Sequence, residues 1–201
     1  MTRCAGQRSI EVRYAPNGVS EFGEPCLPSV VIMQMSKPES PTPSFQLTGL
    51  PASRFAHLAT LDAEALARLG VSRVRATSSP GYPCRVSLVD AQIGEELFLL
   101  SYAHHDVESP YRSAGPVFVR VDAQERYLAP GEVPAYVRTR VISARAYDER
   151  HMMIAAEVCE GERVGELLER LFERPDVDYV QLHNAKPGCY SCEARRAAAA
   201  Q

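Results

Sequence analysis

The ten residues "HNAKPGCYSC" (183–192) gather His183, Asn184, Lys186, Cys189, Tyr190 and Cys192 around one Pro-Gly turn. An imidazole titrates near neutral pH and can move a proton. A thiolate beside it can act as a nucleophile. A side-chain amide and the backbone N–H groups of a turn can stabilise developing negative charge. These residue types together suggest attack on a small molecule by Cys189, with His183 as acid-base group and Asn184 near the developing charge. A lone histidine at a strand end is more often structural than catalytic, so its neighbours Asn184 and Cys189 carry the functional reading.

Two other stretches bring reactive side chains. In "GYPCR" (81–85) a turn delivers Cys84 and Arg85. Cys84 is the second candidate nucleophile. Alternation along a strand sets it with Val86 and Leu88 on an apolar face, where a thiol is packing, and turns Arg85 to the other face. The segment "AHHDVESPYRSAG" (103–115) reads as a long loop holding His104, His105, Asp106, Tyr111 and Arg112. Structureless loops beyond about 12 residues are usually functional or disordered. Arg112 offers a planar fork of donors for a carboxylate or phosphate, with Tyr111 beside it. His105 is the second candidate acid-base group. "CYSC" (189–192) is formally a C-x-x-C, but a structural zinc ribbon needs a second such pair, and none is present. No metal and no cofactor are expected. Walker, Rossmann, G-x-S-x-G and H-E-x-x-H patterns are missing, which removes several large enzyme classes.

These residues need elements to position them. "VDYVQLH" (177–183) alternates as a strand, with Val180 and Leu182 on one side and Tyr179, Gln181 and His183 on the other. Residues 188–195 read as a last strand. "FQLTGL" (45–50), "VSRVRAT" (71–77), "CRVSLVD" (84–90), "EELFLLSY" (95–102) and "PVFVRVD" (116–122) also read as strands. "VISARAYD" and "MMIAAEVC" flank "ERH" (149–151) as a hairpin, with His151 on its surface. Asp62 and Gly70 bracket a short helix. The clearest helix lies in "GERVGELLERLFERP", where Val164, Leu167, Leu168, Leu171 and Phe172 recur at i, i+3, i+4, i+7 and i+8. "GEVPAYVRTR" (131–140) is ambiguous and has room for one helical turn. The expected fold class is α+β: a single domain with a largely antiparallel sheet, a few short helices and one clear amphipathic helix.

The chain of 201 residues suits one such domain. Residues 1–44 show no hydrophobic period and include the Pro- and Ser-rich "SKPESPTPSF" (36–45). They read as a disordered or mis-annotated extension, with Met33 or Met35 as the alternative start and with Cys4 and Cys26 outside any site. The domain is expected over 45–196, with 197–201 a flexible tail. The net charge is −3 with no basic block, which argues against nucleic acid. No run approaches ~18 apolar residues, so no membrane span is expected. No signal peptide is visible, so the six cysteines read as mostly reduced thiols in a cytoplasmic protein.

The motifs "PGYPCRVSL", "GEELFLLSYAHHDVESPYRSAGPVFVR" and "HNAKPGCY" together resemble the bacterial family catalogued as domain of unknown function 1203, from about Phe45 to Arg195. The resemblance implies one domain and marks Cys84, Arg85, Tyr111, Arg112, His183, Asn184, Cys189 and Tyr190 as positions in the family's recurring motifs. It implies no activity. The family's last motif ends at Gly-Cys-Tyr, which leaves Cys192 outside it and weakens the redox and zinc readings.

The expectation is a polar pocket walled by the turn before Cys84, loop 103–115 and the turn after His183. There an enzyme would act on a small anionic molecule. Arg112, Tyr111, Arg85 and Tyr190 would bind the ligand. His183, Cys189, Cys84, His105 and Asn184 would carry the chemistry. The alternative is a ligand- or peptide-binding module without turnover, its cysteines buried as packing. Oligomeric state is open.

Overall fold

The computed structural model describes residues 44–198. The expected extension up to residue 43, with Cys4, Cys26 and both alternative starts, lies outside the described residues. So do residues 199–201 of the expected tail.

In chain order the elements are β1 (Phe45–Thr48), α1 (Ala63–Arg68), β2 (Ser72–Arg75), β3 (Glu96–His105), β4 (Ser113–Arg120), α2 (Ala135–Arg138), β5 (Val141–Tyr147), β6 (Met153–Glu160), α3 (Val164–Phe172), β7 (Tyr179–Asn184) and β8 (Tyr190–Arg196). Short three-ten turns follow β1 and β6. A five-stranded sheet has the order β1-β8-β7-β5-β6, and a three-stranded sheet the order β2-β3-β4. The pairings between these strands are all antiparallel. The fold is thus mostly antiparallel sheet with a few short helices.

Local chemistry explains the short helices. The Asp62 carboxylate accepts the Ala65 N–H at 2.8 Å and caps α1, and Gly70 ends the segment at φ 68°. In α3 the residues Val164, Leu167, Leu168, Leu171 and Phe172 are all buried. They pack on one face of the large sheet, against Ile142, Ala144, Val180 and Leu182. Each such side chain contributes about 1.5–3 kcal/mol by leaving water. A second core lies on the small sheet, where Val117, Val119 and Phe98 meet Leu50, Phe55, Leu58, Leu66 and Val71.

The other face of the large sheet is polar and aromatic. Cross-strand partners share a face. Tyr179, Gln181 and His183 on β7 therefore line up with Tyr147, Arg145 and Ser143 on β5. His104 and His105, at the end of β3, lie against this face.

Two segments differ from the sequence expectation. Residues 84–90 form a compact turn rather than a strand. The Leu88 N–H reaches back to the Cys84 carbonyl at 3.0 Å, and Leu88 adopts φ 55°. The alternating pattern had masked that reversal. As a result Cys84, Arg85 and Val86 are all buried, where alternation would have turned Arg85 outward. The stretch 103–115 is not a long loop either. β3 runs on through His105 and β4 starts at Ser113, leaving a tight turn closed by Arg112 N–H to the Ser109 carbonyl at 3.0 Å. The two histidine rings find their hydrogen-bond partners on β7 and in the turn, at Gln181, Tyr179 and the Tyr111 carbonyl.

Candidate functional site

A cleft of about 590 Å³ lies between the turn at 81–85, the residues 139–141 and the turn after β7. Its floor is Arg85. That side chain is 2% exposed. Its Nε donates to the Tyr190 carbonyl at 2.8 Å and its Nη1 donates to the Pro83 carbonyl. Its backbone N–H donates to the Phe118 carbonyl at 2.9 Å. The guanidinium is therefore tied to β8 and to its own turn, while the backbone of Arg85 is tied to β4, and these bonds hold the side chain in place. Nη2 has no hydrogen-bond partner, and no carboxylate pairs with Arg85, among the described residues. Two carbonyls offset part of the cost of burying this charge, but carbonyls carry no countercharge.

The far wall holds Thr139, Arg140, Val141 and Glu160. Arg140 is compensated, because its Nη2 reaches Asp90 at 2.8 and 3.1 Å. Gly161 sets the position of this wall. Its N–H donates to the Arg140 carbonyl at 2.7 Å. A Cβ there would lie 2.0 Å from the Val137 carbonyl oxygen, so only glycine permits the approach. The third side comprises Asn184, Lys186, Pro187 and Cys189. Lys186 is exposed at the rim and Cys189 is half-buried, its thiol 3.9 Å from the Pro187 carbonyl.

Behind this turn lies the polar layer between the sheets. His183 is 1% exposed. Its Nδ1 donates to the Gly188 carbonyl at 3.2 Å, so its Nε2 is an acceptor, and that atom is buried without a partner. Burial, reinforced by the Arg145 charge, pushes its pKa down to about 3, so the ring is neutral at ordinary pH. The His104 ring stacks on Tyr190 at 5.0 Å and meets His183 edge-on at 5.1 Å. Gln181 Nε2 donates to the His104 carbonyl at 3.0 Å, so its Oε1 accepts from His104 Nδ1 at 3.1 Å. Burial lowers the His104 pKa as well. Further along, His105 Nδ1 donates to the Tyr111 carbonyl at 2.8 Å, and its Nε2 faces the Tyr179 hydroxyl at 2.7 Å. The same hydroxyl lies 2.9 Å from Nδ1 of His151. His151 is thus half-buried and bonded, where a surface position was expected.

The structure brings together Arg85, Asn184 and Cys189 in the cleft. Tyr190 lies beneath it and contributes its carbonyl to Arg85. His183 sits next to Asn184 on β7 but on the opposite face, within the polar layer. Neither His183 nor His105 is hydrogen-bonded to a cysteine sulfur among the described residues. Cys84 is sealed, with Sγ accepting from the Arg120 N–H at 3.3 Å. Arg112 is 69% exposed and pairs with Asp106 at 2.5 Å. It lies outside the cleft with Tyr111, whose ring packs toward Tyr147 at 6.3 Å. Cys192 is wholly buried, and burial pushes its thiol up to about 11, so the two ends of "CYSC" occupy different environments.

Sequence reasoning missed Arg140, Glu160 and Phe118 as cleft residues. Arg140 ended an ambiguous stretch, and nothing local tied it to the turn at 81–85. Glycine directly after the strand that ends at Glu160 was the one available signal of a close backbone approach. Among the described residues no group of three or more His, Cys, Asp or Glu is placed to hold a metal ion. No described helix is long and apolar enough to cross a membrane.

No curated protein and no solved structure matches this chain. A family model does, over residues 81–196, and its description reads "Protein of unknown function (DUF1203)". The match leaves out residues 45–80, which the sequence resemblance had included. It takes in the whole cleft, the polar layer and all of the large sheet except β1. With more than half of its length matched, the chain belongs to the DUF1203 family.

Proposed function

We propose that residues 45–196 act as a single, cytoplasmic α+β domain that binds a small anionic molecule in the cleft over Arg85. One observation carries the reading: a guanidinium 2% exposed, held rigidly and without a carboxylate among the described residues, at the floor of an open cleft. A buried charge left uncompensated costs several kcal/mol. An anion seated on Nη2 supplies the missing countercharge, and Lys186 at the rim adds attraction at entry. Arg85 takes the anchoring role first considered for Arg112. Binding without turnover fits the cysteines better than nucleophilic catalysis, since Cys84 and Cys192 are packing. A covalent role for Cys189 keeps one supporting observation, its half-buried thiol on the cleft wall.

The test is a titration of the full chain with acetate, benzoate, sulfate and phosphate, followed by amide chemical shifts. At least one anion is expected to move resonances of residues 81–85 and 184–189, and Lys186→Glu to weaken it. Shifts confined to residues 104–112 would refute the cleft as the binding site.

A further inference from the structure

Resting on the anion-binding reading of the cleft, we infer that its ligand is a monocarboxylate with a flat apolar body, rather than a compact oxyanion. Charge decides the first part. The cleft presents Arg85, Arg140 and Lys186, against Glu160 on its wall and Asp90 bonded to Arg140. Three cations against two carboxylates leave one positive charge to neutralise. A carboxylate does this. A phosphate dianion would exceed it and would bring its second charge toward Glu160.

Size and wall chemistry decide the second part. About 590 Å³ falls among sites that enclose drug-sized molecules. Inorganic phosphate or acetate would leave most of it to water. Phe118 lines the cleft beside Arg85, and the two are fixed together by the Arg85 N–H bond to the Phe118 carbonyl at 2.9 Å. The Phe118 ring is itself held by Tyr82, with centroids 5.2 Å apart. Pro83, Val141 and Pro187 complete an apolar lining. A planar body attached to the carboxylate can therefore lie along Phe118 while one oxygen takes Arg85 Nη2 and the other meets Lys186. Preorganised apolar walls with a few fixed polar groups give affinity by burial and orientation by charge.

The experiment compares benzoate, acetate and inorganic phosphate on the full chain, by calorimetry and by amide shifts. Benzoate is expected to bind at least tenfold tighter than acetate and tighter than phosphate. Phe118→Leu, which keeps apolar bulk but removes the ring, should weaken benzoate several-fold more than it weakens acetate. Lys186→Gln, at an exposed position, should weaken both. Phosphate binding tighter than benzoate, at the same residues, would overturn the carboxylate class while leaving an anion cleft in place. Equal affinity for benzoate and acetate would overturn the apolar body. If none of the three perturbs residues 81–85 or 184–189, this inference falls together with the reading it rests on.

Discussion

Nε2 of His105 and the hydroxyl of Tyr179 lie 2.7 Å apart, and for a neutral imidazole the bond between them runs from the hydroxyl to the ring. His105 Nδ1 faces a carbonyl, so it must be the donor, and the neutral ring then accepts at Nε2. The Tyr179 proton is committed to His105. His151 Nδ1 must in turn donate to the Tyr179 oxygen. The resulting chain links the turn of the β3–β4 hairpin to that of the β5–β6 hairpin.

That direction makes a spectroscopic prediction. Imidazole nitrogen shifts should show neutral His105 as the Nδ1–H tautomer. Tyr179→Phe removes both bonds and should cost about 1–3 kcal/mol of stability. Amide exchange should quicken in residues 106–112 and 148–152 and stay unchanged at 184–189. A His105 ring found as the Nε2–H form would contradict the chain.

Acid should act through His183. Its folded pKa of about 3 lies below its ordinary 6.5, so the unfolded chain binds the proton first. The stability that depends on neutral His183 is complete above about pH 6.5 and is lost as pH falls toward 3. The slope reaches at most about 1.4 kcal/mol per pH unit. Urea unfolding from pH 7 to 4 measures it, with His183→Gln as control. The variant should lose up to one proton of pH dependence. Parallel profiles would show that His183 does not carry the effect.

Thiol reactivity should follow the environments of the cysteines. Alkylation of the native chain, mapped by peptide mass, is expected at Cys189 well before Cys84 or Cys192, which should react only on unfolding. Rapid native labelling of Cys192 would mean that the β7–β8 pairing opens readily.

Arg112→Ala should change stability by no more than about 0.5 kcal/mol, since an exposed ion pair contributes little. Anion titrations should be unaffected. A large loss of binding would return the site to the β3–β4 turn.

Gly161→Ala should destabilise by about 3 kcal/mol or more, because the added methyl meets backbone oxygens that cannot rotate away. Thermal melting measures the loss. Near-native stability would show that the wall at 139–141 yields.

The strands that read most clearly were those whose alternation matches a sheet with one apolar face. The Val180 and Leu182 side of β7 packs on α3, and its Tyr179, Gln181 and His183 side meets the other sheet. Two things were hidden. Residues 84–90 alternate as a strand would, yet a positive φ at Leu88 reverses the chain, and no glycine or proline marks the spot. Arg85 was consequently placed on the face opposite Cys84 rather than buried beside it. Likewise His104 and His105 looked like loop residues, because their partners Gln181 and Tyr179 are more than 70 positions away. The cleft wall at Arg140 depends on a backbone contact with Gly161, which local pattern cannot encode. What the sequence showed of the site was its turns; what it could not show was which turns face each other.

Arg85 bonds β8 through its side chain and β4 through its backbone, so it serves the architecture whether or not anything occupies the cleft. Ligand use could therefore drift away during divergence while this arginine stayed in place. Its presence in a relative would be poor evidence of inherited binding. Lys186 and Glu160, exposed and unconstrained by the core, are free to change, and their charges are where gain or loss of a ligand would first be written.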